Sequence, residues 1–437
     1  MASLIRGVLA NARNRVSRLL VPLSQQPSSP KPVPRQQHQD EEIFEQDGFY
    51  HPVSLGDTFD SGRYSILRKL GYGRYSTRYV ALKLLTNNCY GGPYEIFERE
   101  ILEKIRDVSR KSSHEGRKHV LPLNEHFTHQ GPNGNHVGLT FDVLGHDLYT
   151  ESMRYTYGRV PVKAVKEIVR QLLKGLDFLH TECGVIHTGA AQRITDDLVW
   201  FIANGTIDLK WTNILFELET PSDCVSKYLE STPPRTTEGK NGASIPLREC
   251  MVTEATPHIS DMAPLRVRLI DFGVASWREK HLLDQIQPLA LRAPEVTLGA
   301  PWDTGVDIWN LGCLIIELTH GFVMFRETPS KRGIWTLEDD HLAKIVEVLG
   351  PIPPSLLRKG RRTAEFLDEQ GKFLRIPKLG LTSLERMLNG DIMPVTKPPD
   401  MPDDEIDVFI DFVRGMLQID PMARKSAAQL LQHEWLS

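Results

Sequence analysis

Asp208-Leu209-Lys210-Trp211-Thr212-Asn213 is the stretch on which the reading of this 437-residue chain turns. An Asp followed five positions later by an Asn is the spacing at which one side chain orients an attacking hydroxyl and the other binds magnesium. Downstream, Asp271-Phe272-Gly273 follows a short apolar strand, the setting for a second metal-binding Asp. Ala293-Pro294-Glu295 closes a segment of 25 residues counted from Asp271. Asp307 lies in a predicted helix beginning Val306-Asp307-Ile308-Trp309, and Arg424 is placed to pair with Glu295.

Upstream, Gly71-Tyr72-Gly73-Arg74-Tyr75-Ser76 sits between two predicted strands, where glycines let the backbone approach phosphates closely. Alone, that run is no more than a hairpin turn. Val80-Ala81-Leu82-Lys83 then matches a strand that presents a phosphate-binding lysine. Such a lysine needs a carboxylate partner. Glu100 in the following helix is the candidate, with Glu98 and Glu103 as competitors on other faces. Six motifs in this order and spacing imply phosphoryl transfer from ATP, a reaction that needs phosphate positioning, magnesium and an oriented hydroxyl.

Bulk properties are compatible with this. Hydrophobic residues make up 40% and charged residues 25%, ordinary for a globular chain, and no run approaches the roughly 18 apolar residues of a membrane span. The net charge of −4 does not point to nucleic acid. Cys89, Cys183, Cys224, Cys250 and Cys313 are scattered without a C-x-x-C pair, which argues against a disulfide framework or zinc site.

Residues 1–39 carry no acidic side chain. Leu4, Ile5, Val8, Leu9, Ala12, Val16, Leu19 and Leu20 share one helical face, with Arg6 and Arg13 opposite, a pattern resembling a mitochondrial presequence. A disordered leader or a misplaced start codon is the alternative. A linker rich in Pro, Ser and Gln follows over 21–40. Strands are expected at 64–70, 79–85 and 137–144, with a helix at 94–106. A long core helix is expected over 161–180, where Val165, Ile168, Val169, Leu172, Leu173, Leu176 and Leu179 recur at helical spacing. Short strands at 214–218 and 266–270 precede mostly helical patterns. The fold class is therefore α+β, a small β-rich lobe followed by a larger helical one.

With those residues in hand, the chain resembles the protein kinase superfamily, and within it the serine/arginine-rich (SR) protein kinase family in a fungal style. The resemblance covers about residues 47–436. Its marks are Gly48-Phe49-Tyr50-His51-Pro52-Val53 with Gly56-Asp57, the stretch Phe141-Asp142-Val143-Leu144-Gly145, and Ile186-His187-Thr188 with Thr where most kinases have Arg. Glu338-Asp339-Asp340-His341 with Glu347 matches an acidic stretch, and 219–264 sits where the family places a spacer insert.

The resemblance implies a bilobal kinase fold, with residues 1–46 as leader and linker, 47–144 as the N-lobe and 145–437 as the C-lobe. It implies that Gly71, Gly73 and Ser76 cover the ATP phosphates, and that Lys83 contacts them while paired with Glu100. Asp208 would be the catalytic base and Lys210 would stabilise the transferring phosphoryl. Asn213 and Asp271 would hold Mg2+. Ala81 is counted with the ATP-binding residues, Phe141 is the expected gatekeeper, and Asp142 and Leu144 would offer backbone groups to adenine. Glu338, Asp339, Asp340 and Glu347 would dock arginine/serine-rich protein substrates, consistent with a role in splicing. A monomer in cytoplasm and nucleus is implied, without direct nucleic-acid or membrane binding; the N-terminus leaves the mitochondrion as the alternative. No Ser, Thr or Tyr lies between Arg278 and Arg292, so activity without loop phosphorylation is expected.

Three departures are visible. Asp208 should follow Thr188 directly, yet the 19 residues from Gly189 to Ile207 intervene. Nineteen codons are 57 nucleotides. A retained intron opening GT inside a split codon reads as Gly, and one closing ATAG reads as Ile followed by the G of an Asp codon. Gly189, Ile207 and Asp208 match that reading; a natural insertion is the alternative. Only nine residues separate Gly73 from Lys83, about ten fewer than the family has, and Pro288 stands where serine/threonine kinases usually carry Thr. A catalytically impaired pseudokinase or scaffold is thus the competing expectation.

Overall fold

The computed structural model describes residues 51–68, 79–87, 89, 97–188, 211–234, 236–238, 244–246, 265–330, 332–392 and 395–437. The expected glycine-rich residues Gly71, Gly73 and Ser76, the insertion Gly189–Ile207, and Asp208 and Lys210 lie outside them. The described residues divide into two compact units. One gathers 51–151 with 212–273; the other gathers 152–188 and 211 with 274–437.

The first unit is built on a three-stranded antiparallel sheet. Strand Val80–Leu84 pairs with Gly134–Asp142, which pairs with Glu125–Gly131. The last two form a hairpin whose register closes at Gly131 opposite Gly134. Gly134 sits at φ +118°, a conformation side chains rarely adopt. Sequence analysis missed strand Glu125–Gly131. Its residues are mostly exposed and polar, so no apolar alternation marks it. Phe59, Tyr64, Ile66 and Leu82 form a buried cluster beneath the short pair Thr58–Phe59 and Tyr64–Ser65.

Helix Glu98–Lys111 turns Glu98, Ile101, Leu102 and Ile105 inward, an i, i+3, i+4, i+7 stripe. Strand Ile214–Phe216 pairs antiparallel with Val267–Leu269. The Leu121 N–H donates to Leu269 O (3.0 Å) and the Gly145 N–H to Phe216 O (2.8 Å). These bonds tie 212–273 to the strand-rich unit, a division different from the lobe boundary expected after Leu144. In the spacer, helix Pro221–Ser231 is followed by the antiparallel pair Thr236–Glu238 and Ser244–Pro246.

The second unit is helical around Gly305–His320, every residue of which from Val306 onward is buried. The expected long helix runs Val162–Phe178 and widens into one π turn, Leu179–Cys183, ended by Gly184 at φ +64°. Its first turn is capped from a distance: the Val162 N–H donates to Asp400 Oδ2 at 2.7 Å, since Pro161 has no side-chain acceptor. The Arg424 guanidinium meets Glu295 through two bonds of 2.7 and 3.0 Å, with both side chains fully buried. No helix among the described residues is long and apolar enough to cross a membrane.

Candidate active site

Lys83 is the centre of the site in the first unit. The strand pairing sets Ala81 opposite Phe141, Val80 opposite Asp142 and Lys83 opposite Leu139. Ala81 and Phe141 are buried, whereas Asp142 is exposed and accepts a bond from Asn124 Nδ2 at 3.0 Å. Leu144 is half-buried. Val80, Ala81, Phe141 and Asp142 thus meet at one end of the strand pair.

Lys83 Nζ donates to Glu98 Oε1 at 2.7 Å and to Asp271 Oδ1 at 3.0 Å. Burial on its own would lower the lysine pKa. The two carboxylates outweigh it and hold the ammonium above its ordinary range. This arrangement corrects the expected partner: Glu98, not Glu100, meets Lys83. Two residues along a helix are about 200° apart, so the two glutamates face opposite ways. Glu98 shares the buried face with Ile101, Leu102 and Ile105, while Glu100 pairs with its neighbour Arg99 at 2.5 Å. The competitor Glu103 meets His126 at 2.9 Å. The apolar stripe in the sequence was the signal that would have selected Glu98.

Asp271 takes φ +63°, in the left-handed region that Asp tolerates better than most side chains. The Gly273 N–H lies 3.4 Å from its Oδ1. A Cβ on Gly273 would stand 3.3 Å from Asp271 Oδ1 and 3.4 Å from Glu98 Oε2, so glycine leaves the two carboxylates room. Asn213 is brought beside this segment by the antiparallel strand pair, its carbonyl accepting the Ile270 N–H at 3.0 Å. The Asn213 side chain is buried, and its Nδ2 has no hydrogen-bond partner among the described residues. One amide oxygen and one carboxylate are hard oxygen donors, the type magnesium takes when phosphates complete its shell. The residues fit the ion.

In the second unit, Asp307 accepts the backbone N–H of His187 (2.9 Å) and of Thr188 (2.8 Å), and its Oδ2 is 2.9 Å from His180 Nε2. Thr188 is buried at φ +61°, unusual for a β-branched residue, and its hydroxyl donates to Val274 O at 2.8 Å. The activation segment is held by neutral and charged groups of its own chain. Gln287 donates to Val306 O (2.8 Å) and accepts the Ala293 N–H (2.9 Å). Arg292 donates to Ile286 O and Gln287 O, and Arg278 grips Asp303 through both carboxylate oxygens. Pro288 begins the short turn Leu289–Leu291.

The expected docking carboxylates are differently employed. Asp339 is wholly buried as the cap of helix Leu337–Leu349, accepting from Thr336 N–H and Oγ1 and from Arg375. Glu338 lies between Arg292 and Arg362, Asp340 pairs with Lys344 at 2.8 Å, and Glu347 accepts the Gly380 N–H at 2.5 Å. All four carboxylates expected to dock substrate thus have partners within the chain. Acidic residues collect in the first turn of this helix because they complement its dipole and free N–H groups. Sequence reasoning also missed the seat of the spacer helix: Arg68 donates to Thr232 O (2.6 Å) at its C-terminal end, and Tyr79 Oη lies 3.1 Å from Ser226 Oγ.

The protein kinase domain family pattern matches residues 252–436. The serine/threonine-protein kinase SRPK of Physarum polycephalum is 30% identical over 89% of this chain and 89% of its own length. Protein kinase dsk1 of Schizosaccharomyces pombe is 29% identical over 89% of this chain and 83% of its own. SRSF protein kinase 3 of Mus musculus is 27% identical, with 89% of both chains covered. Taken with the Lys83–Glu98–Asp271 cluster and the α+β fold, these likenesses place the chain in the serine/arginine-rich (SR) protein kinase family of ATP-dependent serine/threonine kinases.

Proposed function

We propose that the chain transfers the ATP γ-phosphoryl to serines of arginine/serine-rich proteins, including proteins of RNA splicing. The observation that supports this best is Lys83 held between Glu98 and Asp271, beside a buried Asn213. The substrate class rests on the relatives, one of which is named for SRSF substrates. Lys83 would hold the α- and β-phosphates, and Asn213 and Asp271 would hold magnesium. Magnesium, when bound, neutralises charge on the transferring phosphoryl. Asp208 would accept the proton of the serine hydroxyl and Lys210 would steady the γ-phosphoryl. The self-held activation segment supports activity without phosphorylation of that segment, since Gln287, Arg292 and Arg278 already find partners.

Transfer of labelled phosphate from ATP to an Arg-Ser repeat peptide tests the proposal, with Asp208→Ala as the control. Magnesium-dependent labelling of serine, lost in the control, is expected. Nucleotide binding without labelling would overturn it and favour a scaffold, the reading suggested by the 19 residues between Thr188 and Asp208. A large rise in rate after treatment with another kinase would refute independence from loop phosphorylation.

A further inference from the structure

The run Glu338-Asp339-Asp340-His341 ends on a side chain that the phosphoryl-transfer steps do not use. His341 is wholly buried on helix Leu337–Leu349, within the helical unit. Its Nδ1 lies 3.0 Å from Phe325 O and its Nε2 lies 3.0 Å from Arg292 O. Both partners are carbonyl oxygens, which only accept, whereas a neutral imidazole carries one N–H and one lone pair. Two acceptors therefore compete for one proton, and a second proton satisfies both. Arg292 is the residue around which the end of the activation segment closes. Its guanidinium donates to Ile286 O (3.1 Å) and Gln287 O (3.0 Å), and its Nη1 lies 3.3 Å from Glu338 Oε1. Gln287, at φ +67°, accepts the Ala293 N–H in turn.

We propose that His341 is a positioning residue whose Nε2–H holds the Arg292 carbonyl, pinning the end of the activation segment to helix Leu337–Leu349. The proposal rests on the reading that the chain phosphorylates protein hydroxyls, since kinases need this segment ordered for that reaction. The choice of nitrogen follows from general chemistry: in water the Nε2–H form of a neutral histidine is the more stable one. Nδ1 then faces Phe325 O with a lone pair, and an added proton there makes a second bond without moving the ring.

The charged surroundings agree with a neutral ring. Burial is the main influence on His341 and lowers its pKa below 6.5, and the Arg292 charge acts the same way. The two carbonyl oxygens and the Glu327 carboxylate oppose them. On its own helix, Glu338 is engaged by Arg292 and Arg362, Asp339 by Arg375, and Asp340 by Lys344. Above about pH 7 the ring therefore carries a single proton, and it takes the second only in acid.

The test uses the full chain with 15N-labelled histidine, whose two ring nitrogens resonate far apart when neutral and close together when charged. His341→Gln assigns the signal. Above about pH 7 the wild-type ring should carry its proton on Nε2, and Nδ1 should gain one with a midpoint below 6.5. A proton on Nδ1 alone would overturn the proposal. Kinetics with an Arg-Ser repeat peptide give the second readout. His341→Gln, whose amide reaches the place of Nε2, should keep the wild-type KM for peptide. His341→Asn reaches only the place of Nδ1. It and His341→Leu should raise that KM about tenfold with the KM for ATP unchanged, as loss of one buried hydrogen bond implies. A folded Asn or Leu variant with the wild-type peptide KM refutes the positioning role, and so does a Gln variant as impaired as the other two. If His341→Leu does not fold, the comparison of Gln with Asn carries the test. If the wild type transfers no phosphate, the kinase reading fails, while the position of the ring proton still decides whether Arg292 is held.

Discussion

Replacing Glu98 by Ala removes the shorter of the two contacts to Lys83, at 2.7 Å, from a carboxylate that is 3% exposed. At an effective dielectric of about 20, unit charges at that distance attract by about 6 kcal/mol before desolvation is counted. Breaking a buried pair usually costs about 3–5 kcal/mol. Here Asp271 at 3.0 Å keeps Lys83 paired, so a smaller loss follows. We expect about 2 kcal/mol, or roughly thirtyfold weaker binding of magnesium–nucleotide. Glu100 is one-third exposed and faces away from Lys83, so Glu100→Ala should change affinity by less than about 0.5 kcal/mol. Titration calorimetry with a non-hydrolysable ATP analogue separates the two, and Glu98→Gln should fall between wild type and Glu98→Ala. If Glu100→Ala weakens binding as much as Glu98→Ala, the helix face assigned to Lys83 is wrong.

Arg424→Ala leaves Glu295 buried and uncompensated, so thermal or denaturant unfolding should show a loss of about 3–5 kcal/mol; a loss under 1 kcal/mol would contradict the burial of the pair. Arg68→Ala removes donors from the carbonyl end of helix Pro221–Ser231 and should cost about 1 kcal/mol locally, read as faster hydrogen exchange over 224–232. His51, His129 and His136 meet with ring centroids 4.8 and 5.1 Å from His51. Burial first, then mutual repulsion, lowers the His51 and His129 pKa values below 6.5, with Asp57 opposing. The unfolded chain therefore takes up protons that the folded cluster resists, so its stability is intact above pH 6.5 and falls as pH drops below it. Protection factors over 54–66, which remove the intrinsic pH dependence of amide exchange, should fall between pH 6.5 and 5, and His129→Gln should flatten that fall; wild-type protection factors that do not change with pH would refute it.

Much of this protein was legible one segment at a time. The apolar spacing over 161–180 predicted helix Val162–Phe178, and the apolar run over 266–270 predicted strand Val267–Leu269 ahead of Asp271. Those signals are local: helix period, backbone freedom and fixed spacing need no knowledge of distant neighbours. The polar strand Glu125–Gly131 carried no such signal, because its pairing with Gly134–Asp142 is made by backbone groups that every sequence has. Tertiary structure alone decided which carboxylate met Lys83, that Asp339 caps a helix and meets Arg375, and that Asp307 holds the backbone of His187 and Thr188. In each case the side chain's type allowed several roles. Burial selected among them, because a charge removed from water persists only where distant parts of the chain supply its partner.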